Sequence, residues 1–308
     1  MTAILPAIIA VAVIVVLGAI AGRTLEPDQR TLSQLVIYIL APALVVESLY
    51  KTAMALDKAI AILGAFAITT LTLYGIVWLI NRLRPLTLPI HKSLLLVALL
   101  PNNGNIGLPL VAFALGDKWL ERAVIYLIGS SILLFGVMPP LLSSKPRRGN
   151  FRQRFQQSLK TTLQLPLTWA IAGGIALKLL QIKLPSNLEV TLHQLGQASI
   201  VLSLLLLGIQ LSRTRFALQP FELNTLPLRL LIGPAIAFLA ARCLHLSGLD
   251  LQVVVLQSAM PVAINAVVLA TEFGGDAAKV SRSVVATTIF ALITLPIILE
   301  LMTQSPTP

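Results

Sequence analysis

Two proline-interrupted apolar segments carry the polar residues with the clearest chemical use in this chain. The first runs from Leu99 to Leu110, and its helix-breaking and amide residues are Pro101, Asn102, Asn103, Gly104 and Asn105. Proline removes a backbone donor and clashes with the preceding helical turn, and glycine adds flexibility. The freed backbone groups cannot face lipid, so they must line a cavity inside the protein. A helix broken in mid-membrane is typical of a transporter binding site.

The second interrupted segment follows 160 residues later and contains Pro261, Val262 and Asn265. Asparagine amides supply neutral donors and acceptors, and a helix that restarts after a break begins with a partially positive end. These features suit a carboxylate or another anion, and we expect Val262 to give the site an apolar flank. In the alternative interpretation, the asparagines only satisfy the broken backbone.

Three further polar residues have two interpretations each. Glu47, near the end of the second apolar segment, is either a proton or cation site or an interfacial acid beside Lys51. Glu272 either gates the substrate path or belongs to the loop at a helix end. Gln257 either lines a cavity or bonds a neighbouring helix.

The composition places the chain in a lipid bilayer. Of its 308 residues, 56% are hydrophobic and 11% are charged, and the mean hydropathy is +0.89. A soluble domain carries about 25% charged residues. Apolar runs of about 18 residues or more recur along the chain, which predicts an all-α polytopic membrane protein.

Several function classes are excluded by the pattern of charges and motifs. The net charge of +11 does not indicate a nucleic-acid partner, because the basic residues sit at the ends of apolar segments and in one loop. The chain lacks the zinc motif His-Glu-x-x-His, the nucleophile motif Gly-x-Ser-x-Gly and a Walker lysine loop. We therefore predict no enzyme activity, no metal site and no cofactor, with Na⁺ or H⁺ as a possible coupling ion.

Ten segments are predicted to span the membrane: 3–22, 31–50, 59–81, 91–115, 121–142, 162–182, 190–211, 223–245, 250–273 and 282–302. A linker at 143–160 with six Lys or Arg residues divides them into halves at 1–142 and 161–308. At an offset of 160 residues, Pro101 matches Pro261 and Asn105 matches Asn265. An odd number of spans reverses the second half, so we predict two inverted five-helix repeats whose broken spans 4 and 9 cross.

The basic residues also predict the orientation. If the 143–160 linker is cytoplasmic, 16 Lys and Arg residues lie on that side and 7 lie on the other, which puts both termini outside the cytoplasm. Besides the linker, the cytoplasmic set comprises Arg23, Arg30, Arg82, Arg84, Lys92, Arg213, Arg215, Arg229, Lys279 and Arg282.

The two interrupted segments resemble the signatures of a known family. Leu100 to Pro109 resembles the span-4 signature of the auxin efflux carrier family, which includes plant PIN exporters and bacterial PIN-like carriers. Met260 to Asn265, with the stretch 271–274, resembles the span-9 signature of the bacterial branch. The resemblance covers essentially the whole chain and implies a fold like that of bile-acid sodium symporters and sodium/proton antiporters.

The resemblance also implies that the spans form two domains with different roles. Spans 1, 2, 6 and 7 would form a scaffold and dimer surface, and spans 3–5 and 8–10 a transport domain that moves like an elevator. Asn102 would hold the substrate carboxylate, as its counterpart does in PIN exporters. The run Asn103-Gly104-Asn105 replaces more apolar residues of those exporters, which favours another small organic anion, such as a dicarboxylate, over auxin itself.

We therefore predict a secondary transporter or facilitator that exports a small organic anion across the bacterial inner membrane as a homodimer. In this prediction Asn102 binds the carboxylate, and Asn103, Asn105 and Asn265 complete its shell or hold a cation. A sodium-coupled carboxylate uptake symporter is the alternative, because amides and freed carbonyls also ligate Na⁺. A membrane sensor that binds the ligand without moving it is the alternative outside transport.

Overall fold

The structure is a computed structural model that describes residues 4–143 except 53, 163–213 except 165, and 217–304. Within these ranges the regular structure is helical, and the β-type pairing is confined to one two-residue bridge. The helices are α1 (Ile4–Thr24), α2 (Gln29–Lys51), α3 (Leu56–Leu83), α4 (Leu88–Leu99), α5 (Leu108–Ala114), α6 (Asp117–Leu142), α7 (Pro166–Leu179), α8 (Ser186–Arg213), α9 (Pro220–Cys243), α10 (Gly248–Ser258), α11 (Asn265–Phe273) and α12 (Ala277–Gln304).

Six of these helices are long and apolar enough to cross a membrane as continuous rods: α2, α3, α6, α8, α9 and α12. The prediction of an all-α polytopic membrane protein is therefore confirmed. Two further predicted spans are divided, the fourth into α4 and α5 and the ninth into α10 and α11. The first and sixth predicted spans correspond to α1 and α7, each of which borders residues outside the described ranges. The predicted linker lies outside the described ranges from residue 144 to its end at residue 160.

The outward faces of the long helices are apolar. Along α3, Leu56, Ile60, Leu71 and Trp78 are all more than half exposed. Exposing such a continuous apolar surface to water would be unfavourable, whereas contact with lipid tails is favourable because the tails are apolar as well. The helix ends at Leu83, just before Pro85, and the Asn81 side chain accepts a hydrogen bond from the Leu86 backbone N–H at 3.0 Å. The apolar run thus determines the length of α3, and Pro85, which cannot donate a helical hydrogen bond, determines where it ends.

Helices α1, α2, α7 and α8 pack against one another through glycines. Gly208 of α8 lies so close to α1 that a β-carbon there would sit 2.0 Å from the Val15 carbonyl oxygen. The reciprocal contact places Gly18 of α1 against Leu205 of α8. Gly174 of α7 lies in the same way against α2. Small residues let membrane helices approach closely enough for their backbones to pack.

Most of the remaining helices pack as a second group, in which α3 contacts α4, α6 and α9, and α10 contacts α6 and α9. The short helix α5 contacts α6 of this group and also α1 and α8 of the first group. Two ion pairs join members of the second group near helix ends. Arg122 of α6 pairs with Asp250 of α10, and Arg282 of α12 pairs with Glu222 of α9 at 2.9 Å. Glu222 is fully buried, so its partner Arg282 offsets the unfavourable desolvation of the carboxylate.

Candidate functional site at the crossing of two broken helices

The two interrupted segments meet in an antiparallel bridge. The Asn102 N–H donates to the Pro261 carbonyl at 2.8 Å, and the Ala263 N–H donates to the Leu100 carbonyl at 2.8 Å. Pro101 and Val262 therefore lie opposite each other as the pair of the bridge whose backbones exchange no hydrogen bond. Proline, which has no N–H, is tolerated there. The structure thus brings together two breaks that lie 160 residues apart in the chain.

Asn102 caps the helical segment that restarts after the first break. Its backbone carbonyl accepts hydrogen bonds from the N–H groups of Ile106 and Gly107, and its side-chain oxygen accepts from the Asn105 N–H at 3.3 Å. A π-helical turn at Asn103–Gly107 then leads into α5. π-helical turns frequently mark functional sites, because the wider turn redirects backbone and side chains.

A cavity of about 110 Å³ opens beside this crossing. It lies between α2, α7 and α8 on one side and the first broken segment, α6 and the start of α11 on the other. The side chains that line it include four serines and four asparagines, and none of the described lining residues is charged. Its apolar wall includes Val36, Leu127, Phe135 and Leu167. The cavity can therefore hold a small molecule with both a polar and an apolar part.

The asparagines at the crossing hold unused hydrogen-bonding capacity. Asn102 is 4% exposed and Asn103 is 1% exposed. Among the described residues, the Asn102 side-chain nitrogen and both polar atoms of the Asn103 side chain have no hydrogen-bond partner. Burying a polar group without a partner costs about 1–3 kcal/mol. The alternative interpretation, that these amides only satisfy broken backbone, explains the Asn102 oxygen but not the other three atoms.

The structure places most of the predicted site residues at this crossing. Those that line the cavity are Pro101, Asn102, Asn103, Gly104, Asn105 and Asn265. Pro261 contributes its carbonyl to the bridge and does not line the cavity. Val262 is fully buried behind the bridge, where its N–H donates to the Thr287 hydroxyl at 3.1 Å. Ala263 lines the cavity instead of the predicted Val262, because successive side chains of an extended segment point to opposite faces.

Glu47, Glu272 and Gln257, each of which has two interpretations from the sequence, do not line the cavity. One Glu47 side-chain oxygen lies 2.8 Å from both the Lys51 ammonium and the His193 Nδ1, which fits the interfacial, paired acid. Glu272 is exposed near the end of α11, outside the cavity. Gln257 is fully buried at the end of α10, and neither polar atom of its side chain has a partner among the described residues.

The sequence prediction missed the role of Arg229. Counting Arg229 among the cytoplasmic helix-end charges is wrong, because its side chain is buried within α9. Its guanidinium donates to the Met260 and Ala98 carbonyls, each at 2.9 Å, and also to the Ser258 carbonyl. An arginine inside an apolar segment is itself a signal of function in membranes. The cavity serines, such as Ser199 and Ser203, carried no such signal, because serine is common in membrane helices.

Comparison with known proteins places this arrangement in a family. The model of the family of membrane transport proteins, the auxin efflux carriers, matches residues 2–150 and 139–299. The chain belongs to the auxin efflux carrier family. The resemblance of the two interrupted segments to that family is therefore confirmed.

Relatives of this auxin efflux carrier family member are described as transporters. An uncharacterized transporter of Methanothermobacter thermautotrophicus is 32% identical over 297 residues, covering 94% of this chain and 95% of the relative. An uncharacterized transporter of Methanocaldococcus jannaschii is 27% identical and covers 66% of each chain. The Escherichia coli uncharacterized transporter YfdV is 22% identical and covers 92% of this chain and 93% of its own length.

Proposed function

We propose that this carrier moves a small organic anion across the membrane by binding it at the crossing of the broken helices. The observation that carries the proposal is the set of unpartnered amide atoms of Asn102 and Asn103 beside a cavity whose described lining is uncharged. A ligand that accepts hydrogen bonds from these amides removes the penalty of leaving them unpaired.

The backbone around the cavity favours an anion. The helical segment that begins at Asn103 and the helix α11 that begins at Asn265 both start at the cavity. Helix N-termini carry a partial positive charge and present free N–H groups. A carboxylate at this place meets amide donors and two positive helix ends, and no buried lysine or arginine is required in the lining. The apolar wall at Phe135 and Leu167 suits the carbon skeleton of an organic acid.

The architecture supports an elevator mechanism. In our proposal α4 with α5, and α10 with α11, are broken spans 4 and 9 of two inverted five-helix repeats. The helices α1, α2, α7 and α8 form the scaffold, and the other helices form the moving transport domain. The packing into these two groups and the position of the cavity between them support this division. Movement of one group along the other would carry the crossing, with its ligand, from one side of the membrane to the other.

The proposal includes export from the cell. The membrane potential drives an anion out of a negative interior with ~2.3 kcal/mol per charge per 100 mV. We place the carrier in the bacterial inner membrane as a homodimer, with both termini on the non-cytoplasmic side because of the distribution of basic residues.

The first test is ligand binding by the purified, detergent-solubilised protein. Acetate, malonate, succinate, benzoate and phenylacetate are compared by their effect on the melting temperature, which a ligand of the folded state raises. We expect at least one acid to raise it and Asn102→Ala to abolish the rise. The matched control is Asn187→Ala, because Asn187 is exposed near the start of α8. No rise with any acid, or a rise that survives Asn102→Ala, would overturn the proposal.

Sodium-coupled uptake is the second candidate, and one observation favours it. The Asn103 side-chain oxygen is a buried acceptor without a partner among the described residues, and such oxygens ligate Na⁺. If the acid-induced rise requires Na⁺ and is absent in K⁺, the symporter replaces the exporter. Uptake of the labelled acid into proteoliposomes separates both carriers from a sensor, which would bind the acid without moving it.

A further inference from the structure

One buried cation ties both broken helices together. Arg229 is 1% exposed, and its guanidinium contacts the ends of α4 and α10 at once: it donates to Ala98 in α4 and to Ser258 and Met260 at the end of α10. Among the described residues, no carboxylate forms an ion pair with it. A guanidinium keeps its charge in proteins, so this is a fixed positive charge inside the protein.

The charge at these helix ends balances that of the guanidinium. Each helix C-terminus carries roughly half a negative elementary charge on its unpaired carbonyls. Two such ends meet at the crossing, and together they match the single positive charge of Arg229. The two positive helix ends start at the cavity, whereas these carbonyls lie at Arg229, which does not line it. Without a cation at this point, the two negative ends would repel each other in a region of low dielectric. The protein therefore has a structural need for a positive charge at this point.

A bound metal ion is the other way to meet that need. Unwound backbone carbonyls and helix C-termini at membrane helix breaks coordinate Na⁺, and hard cations prefer oxygen ligands. In this chain the carbonyls of Ala98, Ser258 and Met260 are already occupied by the Arg229 guanidinium. A monovalent cation at these three oxygens would lie beside the guanidinium, whose positive charge would repel it.

We infer that Arg229 is a built-in cation that replaces a coupling ion at the crossing, so that the crossing is assembled, and its ligand bound, without Na⁺. Arg229 is a positioning residue, because it is absent from the residues that line the cavity. It holds Ala98, four residues before Asn102, and Met260, whose successor Pro261 accepts the Asn102 N–H. The part of this inference that concerns ligand binding rests on the proposed function, and the part that concerns assembly does not.

The assembly part is tested by the melting temperature of purified protein in NaCl, KCl and choline chloride at equal ionic strength. We expect the wild type to melt at the same temperature in all three. Arg229→Ala should melt several degrees lower, and guanidinium chloride at about 10 mM should recover part of the loss by occupying the vacated carbonyl site. Arg229→Lys should lose less, because an ammonium still donates to carbonyls.

The matched control is Leu96→Ala in α4. Leu96 is fully buried and its truncation also destabilises, but it vacates no carbonyl site, so guanidinium should not restore its melting temperature. A wild type that melts higher in NaCl than in KCl and choline chloride would overturn the inference, and that comparison needs no variant. Equal responses of Arg229→Ala and Leu96→Ala to guanidinium would overturn it as well.

Ligand binding separates this inference from the proposed function. Malonate and phenylacetate are each titrated into the wild type and Arg229→Lys in NaCl and in choline chloride. Binding of either acid to the wild type with the same affinity in both salts, and weaker binding to Arg229→Lys, supports both proposals. Binding that requires Na⁺ overturns the inference and leaves a carboxylate carrier. Binding of neither acid, with the expected cation and guanidinium responses, overturns the anion proposal for these acids and leaves Arg229 as the built-in cation.

Discussion

Gly107 lies against the Gln257 side chain of α10. A β-carbon at Gly107 would lie 2.3 Å from the Gln257 side-chain oxygen, closer than nonbonded atoms approach. Gln257 is fully buried, and its amide has no partner among the described residues. Because residue 107 has no side chain, the π-helical turn at Asn103–Gly107 approaches α10 without displacing the Gln257 side chain.

We predict that Gly107→Ala destabilises the protein by roughly 1–3 kcal/mol, because the added methyl group collides with a buried side chain. Gln257→Ala should relieve most of that loss in the double variant, so the two changes should not add. Melting of the four proteins in detergent measures the coupling. Gly104→Ala is the control, because a β-carbon there would be 3.8 Å from its nearest neighbour. Additive losses would show that Gln257 does not limit the space at Gly107.

At the scale of helices, close packing is concentrated between α1 and α8. Gly18 contacts the backbone of α8 at Leu205, and Gly208 contacts the backbone of α1 at Val15. Membrane helices gain little from the hydrophobic effect when they associate, because lipid tails are as apolar as leucine. Close backbone packing therefore provides much of the attraction, and residues without a side chain permit it.

We predict that Gly18→Ala and Gly208→Ala each lower the melting temperature by several degrees, because the new β-carbon would overlap a backbone carbonyl of the facing helix. The controls are Gly75→Ala in α3 and Gly173→Ala in α7, where a β-carbon would meet nothing within 4 Å. These two variants should be neutral or up to about 1 kcal/mol more stable, because alanine favours helix over glycine. Equal losses at all four positions would contradict the packing argument.

At the scale of the whole molecule, the cavity lies where the two groups of helices meet, and few of the polar contacts between described residues cross that boundary. One of them joins Thr52, at the end of α2, to Glu121 of α6 at 2.8 Å. Within the first group, the Tyr50 hydroxyl of α2 donates to the Glu189 carboxylate of α8 at 3.0 Å. A carrier in which one group moves along the other must break the first contact and keep the second.

We predict that joining Thr52→Cys to Glu121→Cys with a short thiol-reactive linker stops transport, because it ties the two groups together. The background is Cys243→Ala, since Cys243 is the sole cysteine of the chain. Uptake of a labelled acid that binds the wild type is measured in proteoliposomes before linking, after linking and after cleavage of the linker. The control pair, Tyr50→Cys with Glu189→Cys, lies within the first group and should keep transport when linked. Full transport by the linked Thr52 and Glu121 pair would exclude relative movement of the two groups.

The membrane character, the approximate helix positions and the two breaks could all be predicted from the amino-acid sequence. These are local properties: an apolar run must be helical in lipid, and proline and glycine interrupt the helix where they occur. The predicted fourth span at 91–115 corresponds to α4 and α5 around Pro101, within a few residues. The asparagines at the breaks could be singled out for the same reason, because amides are rare and costly inside an apolar segment.

Which groups face one another depends on the packing of the helices and could not be predicted from the sequence. The bridge between Asn102 and Pro261 and the contact between Arg229 and Ala98 join residues more than a hundred positions apart, which no local pattern encodes. The same holds for the exchange of Val262 for Ala263 in the cavity wall, since a shift of one residue in an extended segment reverses its faces. From the sequence, Arg229 is predicted to be a charge at a helix end. In the fold it lies between two helix C-termini, whose carbonyls neutralise its charge. These carbonyls belong to segments far apart in the chain, so no local pattern predicts that they meet.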